Sequence, residues 1–305
     1  MKRVLVVSGI GLAILTTACG GQPVRSAAPS PSMPLSPAAG PSPTLEPTPS
    51  PTKSNSPSPK QSPEPSPSPA HTSTPAPSPS QTHTTPPPPP PSGSVPAWLV
   101  GKDITVLPTS QHVVALTFDA GANADAIPSI LSTLSKYHIP ATFFLTGKWV
   151  QAYPEYARQI GASYPVANHT YDHQDLTTLT DAEVKSEITS AADIIDAGTG
   201  RDTHPMFRFP YGAENSHDVS LANSLGYGCI RWTVDTLGWE GTTGGNSADK
   251  IVDRVIGGLM PGEIVIMHVG SNPDDGSTLD ADALPQVIEQ LQSHGYGFTT
   301  IAAYV

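Results

Sequence analysis

The residues of this chain best suited to chemistry are two histidines four positions apart, His169 and His173. At this spacing both imidazoles can reach one metal ion, whether the backbone between them is a helical turn or a folded loop. The zinc-peptidase motif with the same spacing requires Glu directly after the first His, and Thr170 stands there, so that class of enzyme is excluded. Because such a pair also arises by chance, a metal site needs support from other residues.

Three further polar residues stand at or just after predicted strands: Asp119, Arg208 and His268. The C-terminal ends of parallel strands gather at one edge of a sheet, where α/β enzymes keep their catalytic residues. Each residue also has a purely structural interpretation, in which Asp119 caps a loop, Arg208 faces solvent and His268 packs at a strand end. Their common position at strand ends favours the functional interpretation.

The hydrophobic pattern predicts strands that alternate with helices. Apolar runs predict seven strands, at 113–118, 141–145, 164–167, 206–209, 228–233, 264–267 and 297–301. Apolar stripes at helical spacing predict helices that include 127–134, 184–195, 251–259 and 284–291. This alternation predicts a parallel sheet, and the length favours an irregular (β/α) barrel of about seven parallel strands.

Five segments, in order along the chain, resemble the signature motifs of the NodB-like polysaccharide deacetylases, the fourth family of carbohydrate esterases. The segments are Thr117–Gly121, His169–His173, Arg208–Tyr211, Asp235–Trp239 and Ile266–His268. The resemblance implies a distorted (β/α) barrel, which agrees with the alternation of strands and helices. It also implies hydrolysis of the acetamido group on N-acetylated sugar polymers, or of O-acetyl esters on others.

The resemblance implies a role for each motif residue. Asp119 would be the general base, and Arg208 would pair with it and keep it ionised. His169 and His173 would hold a divalent ion, which we expect to be zinc, and Thr170 would brace their loop. The ion would polarise the acetyl oxygen and lower the pKa of water from about 15.7 toward 7.

The remaining motif residues would act on the substrate. The backbone N–H of Tyr211 would stabilise the developing oxyanion, and Tyr211 and Trp239 would line the substrate groove. Trp239 would stack on a sugar face, although core packing is an alternative for this residue. His268 would be the general acid that protonates the departing amine.

The chain departs from the family pattern at two positions. The family usually has a second Asp, a metal ligand, directly after the base, and this chain has Ala120. Asn123, Asp125 or water are the alternatives for that ligand. The family also has an Asp before the motif Trp that tunes the acid His, and this chain has Gly238; Asp280 and Asp282 are candidate replacements. Two classes of function therefore stay open, an active metal-dependent deacetylase and a carbohydrate-binding pseudoenzyme.

Composition divides the chain into three parts. Residues 1–19 predict an export signal, with a basic start, a short apolar run and a lipobox-like Cys19; an ordinary secretory signal is the alternative. Residues 20–96 are rich in Pro, Ser and Thr and predict a disordered, semi-rigid stalk. Residues 97–305 predict the deacetylase domain. This organisation indicates an extracytoplasmic lipoprotein that contacts the membrane only through lipidated Cys19 and acts on peptidoglycan, with chitin-like glycans as alternatives.

Charge and cysteine content narrow the choice of partners. The chain has 15 basic and 26 acidic residues and a formal charge of −11, and most of the acidic residues fall in the domain. An acidic surface argues against nucleic acid as a partner. With Cys19 in the signal segment, Cys229 has no intrachain partner, and its apolar surroundings predict a buried strand residue.

Overall fold

A computed structural model describes residues 94–305. The predicted signal segment, Cys19 and the stalk up to residue 93 lie outside these residues. All seven predicted strands are present, and two strands of two residues each are added. The strands are β1 (Asp103–Ile104), β2 (Val113–Ala120), β3 (Thr142–Leu145), β4 (Val166–Asn168), β5 (Met206–Phe207), β6 (Gly228–Ile230), β7 (Val234–Asp235), β8 (Glu263–His268) and β9 (Gly297–Thr299).

The nine strands form one parallel sheet that curls into a half-barrel, so the predicted α/β architecture is confirmed. Its order is β1-β6-β5-β4-β3-β2-β8-β7, and β9 pairs with β2. An isolated antiparallel bridge between Val106 and Glu263 links the segment after β1 to β8. The central strand β2 pairs with β3 on one side and β8 on the other. Asp119 therefore lies on a strand that is hydrogen-bonded to a neighbouring strand on each side.

In the described range, 94–305, seven α-helices cover the sheet. They are α1 (Ile127–Tyr137), α2 (Gly147–Ala152), α3 (Pro154–Ser163), α4 (Asp181–Thr199), α5 (Ser216–Ser224), α6 (Ala248–Gly257) and α7 (Leu279–Ser293). The capping box of Thr180 and Glu183 begins α4, because each side chain accepts a backbone N–H of the other residue. Between residues 94 and 305, no helix has the length and apolar content needed to cross a bilayer.

The two faces of β2 have different environments because successive strand residues point to opposite sides. Phe118 and Ala120 belong to the large apolar cluster that includes residues of α1 and α7. Thr117 and Asp119 therefore project to the other face, inside the curl of the sheet. Asp119 is in register with His268 of β8, which brings these two side chains to the same edge. Cys229 is fully buried in β6, as predicted.

Candidate active site

The C-terminal ends of β2, β4, β5 and β8 surround a pocket of about 450 Å³. Six of the seven predicted site residues line it, namely Asp119, His169, His173, Tyr211, Trp239 and His268. The seventh, Arg208, contacts Asp119 from below the pocket floor. The pocket has the size of a typical small-molecule site. The structure thus brings together all the residues selected from the motifs.

Asp119 and Arg208 form a buried ion pair. Nη1 of Arg208 donates to Oδ1 of Asp119 at 2.5 Å, and the two side chains are 1% and 5% exposed. Burial by itself would raise the pKa of Asp119, but the charge of Arg208, with His169 and His268, holds that pKa below its ordinary value. Asp119 is therefore a carboxylate at neutral pH.

The other donors of Arg208 bind backbone carbonyls. Nε donates to Ile230 at 3.1 Å and Nη2 donates to Arg231 at 3.0 Å. The guanidinium carbon lies 3.9 Å from the ring centroid of Phe144. Since the guanidinium is held on three sides, it fixes the direction in which the Asp119 carboxylate faces.

The segment from Asn168 to His173 turns sharply and is held by its own side chains. Oδ1 of Asn168 accepts the N–H of Thr170 at 2.9 Å, and Oγ1 of Thr170 accepts the N–H of His173 at 3.1 Å. Thr170 and His173 have φ values of 69° and 66°, in the left-handed region. The predicted bracing role of Thr170 agrees with these contacts, and the two imidazoles meet edge to face, with ring centroids 4.8 Å apart.

Glu187 of α4 also braces this segment, and sequence reasoning missed it. One carboxylate oxygen accepts the backbone N–H groups of Tyr171 and Asp172, both at 3.0 Å. The other oxygen lies 3.4 Å from the Gln174 amide. Glu187 is 8% exposed and directly precedes Ile188 of the apolar stripe of α4. In the sequence, the one sign of this role is a carboxylate next to a buried apolar stripe. That sign does not show which backbone groups the carboxylate binds.

Both imidazoles of the pair are neutral at neutral pH. Nδ1 of His169 donates to the carbonyl of Arg208 at 2.9 Å, which leaves a lone pair on Nε2, 3.3 Å from Oδ2 of Asp119. Burial lowers the pKa of His169. Burial, and then the charge of His169, lower the pKa of His173 to about 4.

This pair fits a divalent ion as a two-histidine donor set. Neutral imidazoles are the form that binds metal, and the hydrogen bond to the Arg208 carbonyl fixes the tautomer of His169. Within the described part of the chain, no group of three or more His, Cys, Asp and Glu side chains is arranged to hold a metal. An ion bound here would take His169 and His173 as its ligands among these residues.

Ala120, where the family usually has a metal-binding Asp, lies outside the pocket. It is fully buried in an apolar cluster with Phe118 and Leu145. Its neighbours Asp119 and Gly121 line the pocket. Position 120 therefore contributes no polar atom to the pocket.

The two sequence candidates for a replacement ligand are bound elsewhere. Asn123 donates to the Ser271 carbonyl at 3.0 Å and accepts the Ser271 N–H at 2.7 Å. Asp125 accepts the Ser271 hydroxyl at 2.6 Å. Both side chains therefore fasten the loop after β2 to the loop after β8, and the structure does not support either as a metal ligand.

His268 ends β8 on the opposite side of the pocket from the imidazole pair. Burial would lower its pKa, but the carboxylates of Asp280, Asp119 and Asp235 outweigh burial and raise the pKa above its ordinary value. Nδ1 lies 3.5 Å from Oδ2 of Asp280, slightly too far for a good hydrogen bond. His268 can thus hold a proton near neutral pH.

Aromatic side chains form two walls of the pocket. Tyr211 is 68% exposed, and its ring meets His173 edge to face at 4.6 Å. Its φ of 59° places it in the left-handed region inside the short turn Pro210–Gly212. Trp239 is 50% exposed, and Asn272 donates to its carbonyl at 2.9 Å. Exposed rings beside a pocket suit a sugar, which stacks its apolar face on them, so core packing is not the role of Trp239.

The curled parallel sheet gathers Asp119, His169, His173 and His268 around one pocket at its strand ends, the arrangement that the resemblance predicts. The family model for polysaccharide deacetylase matches residues 107–230. The chain is 32% identical over 196 residues to peptidoglycan-N-acetylglucosamine deacetylase of Bacillus cereus, which covers 64% of this chain and 68% of that protein. The chain belongs to the polysaccharide deacetylase family, and the predicted resemblance is confirmed.

Other relatives differ in what they do. Chitooligosaccharide deacetylase of Azorhizobium caulinodans is 30% identical over 196 residues, which cover 61% of this chain and 91% of that protein. The solved structure of BA3943, a CE4 family pseudoenzyme from Bacillus anthracis, superposes with a TM-score of 0.61 and 29% identity. It covers 67% of this chain and 69% of that one. The family thus includes both active enzymes and at least one pseudoenzyme.

Proposed function

We propose that the protein is a metal-dependent deacetylase that removes acetyl groups from N-acetylated cell-wall glycans. The observation that carries the proposal is the register of β2 with β8, which puts ionised Asp119 and proton-bearing His268 in one pocket. A base and an acid with pKa values moved in opposite directions are what amide hydrolysis needs. O-acetylated glycans are the alternative substrate class.

The roles of the residues follow from their surroundings. Asp119, held ionised by Arg208, accepts a proton from the attacking water. His268 donates a proton to the departing amine. Among the described residues, the N–H of Tyr211 has no protein acceptor, so it is available to the acetyl oxygen as negative charge develops there. Zinc held by His169 and His173 would polarise the acetyl carbonyl and lower the pKa of water.

Peptidoglycan is the substrate that we favour. The similar Bacillus cereus protein is named for deacetylation of peptidoglycan N-acetylglucosamine. The predicted stalk and anchor would hold the domain near the wall of the cell that makes it. A chitin-like glycan is the alternative, because another relative is named for chitooligosaccharides. A panel of N-acetylated and O-acetylated glycans, scored by released acetate, tests the choice.

We further propose that the protein is exported and anchored by a lipid on Cys19. The support is the order of a basic start, a short apolar run and a cysteine in residues 1–19. Replacing Cys19 with Ser should release the protein from membrane fractions, because the thiol is the proposed attachment point. If the variant still sediments with membranes, the anchor is not this cysteine. A secreted protein would be soluble with and without the substitution.

A second candidate function is glycan binding without turnover. It is favoured by Ala120, which removes a ligand that the family usually has, and by the likeness to a pseudoenzyme. Zinc content and acetate release from a chito-oligosaccharide distinguish the two functions. Bound zinc together with released acetate supports the enzyme. Glycan binding without acetate, at saturating zinc and on every glycan of the panel, supports the pseudoenzyme.

A further inference from the structure

Asp280 is a buried carboxylate that faces His268. It lies in the first turn of α7 and is 3% exposed. Oδ2 accepts the backbone N–H of His268 at 2.8 Å and lies 3.5 Å from Nδ1 of its ring. Within residues 94–305, Oδ1 of Asp280 and Nδ1 of His268 have no hydrogen-bond partner. Nδ1 is thus a buried, unpaired ring atom 3.5 Å from Oδ2, and a small movement of the ring would let it donate to this carboxylate.

Gly238, at the position before Trp239, leaves room for this carboxylate. A Cβ built on Gly238 would overlap all three atoms of the Asp280 carboxyl group, with Oδ2 at 2.7 Å. The backbone of Gly238 does not have a positive φ, so space alone, and not conformation, excludes a side chain here. Asp280 thus fills the volume that a side chain at position 238 would need.

The other carboxylates near His268 are bound to different groups. Asp119 of β2 contacts Arg208 and His169 through its two oxygens. Oδ1 of Asp235, on β7, accepts the N–H of Leu237 at 2.8 Å. Asp280 contacts His268 itself, since Oδ2 accepts its backbone N–H and lies 3.5 Å from Nδ1.

Asp282, the other candidate from the sequence, is on a different side of α7. It is exposed, and its carboxylate lies 3.5 Å from the hydroxyl of Thr278. It makes no contact with His268 in the described part of the chain, and it is the natural control.

We infer that Asp280 is the positioning residue of His268. The lack of a side chain at Gly238 leaves the space that the Asp280 carboxylate occupies. Asp280 holds the Nδ1 side of the ring and leaves Nε2 for the pocket. A carboxylate supplied from α7 thereby replaces one supplied from the loop of Trp239. The role of His268 as the acid rests on the proposed function, whereas its orientation and basicity do not. The long Nδ1 distance is expected before the substrate is bound, because such hydrogen bonds shorten in the working complex.

The first test replaces Asp280 with Asn in the full-length protein and titrates the His268 imidazole by NMR. The other titratable groups that act on this ring are Asp119, Asp235, His169 and His173, and they stay in place in the variant. We expect the pKa of His268 to fall by about one unit or more, and kcat to fall at least tenfold with KM little changed. Asp282→Asn should change neither quantity. An unchanged His268 pKa in Asp280→Asn would overturn the inference.

The second test moves the carboxylate to the opposite loop. Gly238→Asp alone should impair folding or rate, because its Cβ overlaps Asp280. The double variant Gly238→Asp with Asp280→Ala should recover both the His268 pKa and kcat, relative to Asp280→Ala alone. A double variant no better than Asp280→Ala overturns the inference. If the wild-type protein proves inactive on all glycans, the proposed function fails, and the NMR titration still decides whether Asp280 positions His268.

Discussion

Nη1 of Arg208 donates a hydrogen bond to Oδ1 of Asp119, and both side chains are buried at the floor of the pocket. The two residues are 89 positions apart in the sequence and come from the ends of different strands. Two buried charges stabilise one another only as a pair, since each is costly to bury alone. Asp119 and Arg208 therefore form one structural unit, in addition to their proposed roles as base and partner of the base.

Asp119→Asn should strongly reduce turnover and also destabilise the protein. The amide cannot take a proton, so kcat should fall by about 10² to 10⁴. The change also leaves the Arg208 charge buried without its counter-ion, which should cost about 3 kcal/mol in the free energy of unfolding, measured in urea. Asp253→Asn, on the exposed side of α6, is the matched control. A variant that keeps more than a tenth of the wild-type rate would remove Asp119 from the role of base.

Glu187→Ala should weaken metal binding without touching a metal ligand. The carboxylate accepts two N–H groups of the segment that carries His169 and His173, so its loss should loosen both imidazoles. We expect zinc affinity to fall about 10-fold to 100-fold, as for other residues that orient metal ligands. Zinc competition with a chelating dye measures this. Lys185→Ala, exposed on the same helix, should bind zinc like the wild type, and equal affinities for both variants would contradict the bracing role.

Zinc binding should persist to an unusually low pH. Protons compete with zinc for an imidazole only when the pH approaches its pKa. The zinc affinity of an ordinary histidine begins to fall at about pH 6.5, which is its pKa. Burial lowers the pKa of His173 to about 4 and also lowers the pKa of His169. Zinc affinity, measured by competition, should therefore fall less between pH 7 and pH 5 than it would for two ordinary histidines. A steep loss centred near pH 6.5 would show that the imidazoles are not held neutral by burial.

The sequence was sufficient to locate the pocket because its residues stand at strand ends. A strand is recognisable from five or six apolar positions, and parallel pairing then brings the C-terminal ends together. This rule predicts that Asp119 and His268 share one edge of the sheet, and the structure adds that the two residues are in register. The predicted bracing by Thr170 also depended on near neighbours, and it agrees with the structure.

Contacts between distant loops could not be predicted in this way. Asn123 and Asp125 carry the right donor atoms for a metal, but they bind Ser271, almost 150 positions away. Glu187 resembles any polar residue beside an apolar helix stripe until its two N–H partners are known. The residue type and the local sequence pattern can identify a candidate metal ligand or bracing residue. The group that this residue binds depends on how distant loops pack against one another.

Glu263, the first residue of β8, should make the protein less stable as the pH rises. Its side chain is fully buried, and within the described range neither carboxylate oxygen has a hydrogen-bond partner. Burial raises the pKa of Glu263 from 4.5 to about 7, because ionisation is unfavourable without a partner. Between these two values the folded state keeps a proton that the unfolded state releases. Stability is therefore complete below about pH 4.5, falls as the pH rises to about 7, and is constant above that, with a total loss on the order of 3 kcal/mol.

Glu263→Gln should remove this dependence, because the amide does not ionise. Urea unfolding at pH 5 and pH 8 measures it: the variant should gain about 1 to 3 kcal/mol over the wild type between the two pH values. The difference between variant and wild type isolates Glu263 from all other titrating groups, including Asp103, whose pKa burial also raises, to about 6. Glu155→Gln, at an exposed glutamate of α3 that pairs with Arg158, is the control and should follow the wild type at both pH values. Parallel curves for Glu263→Gln and the wild type would mean that the buried carboxyl finds a partner, or water, when it ionises.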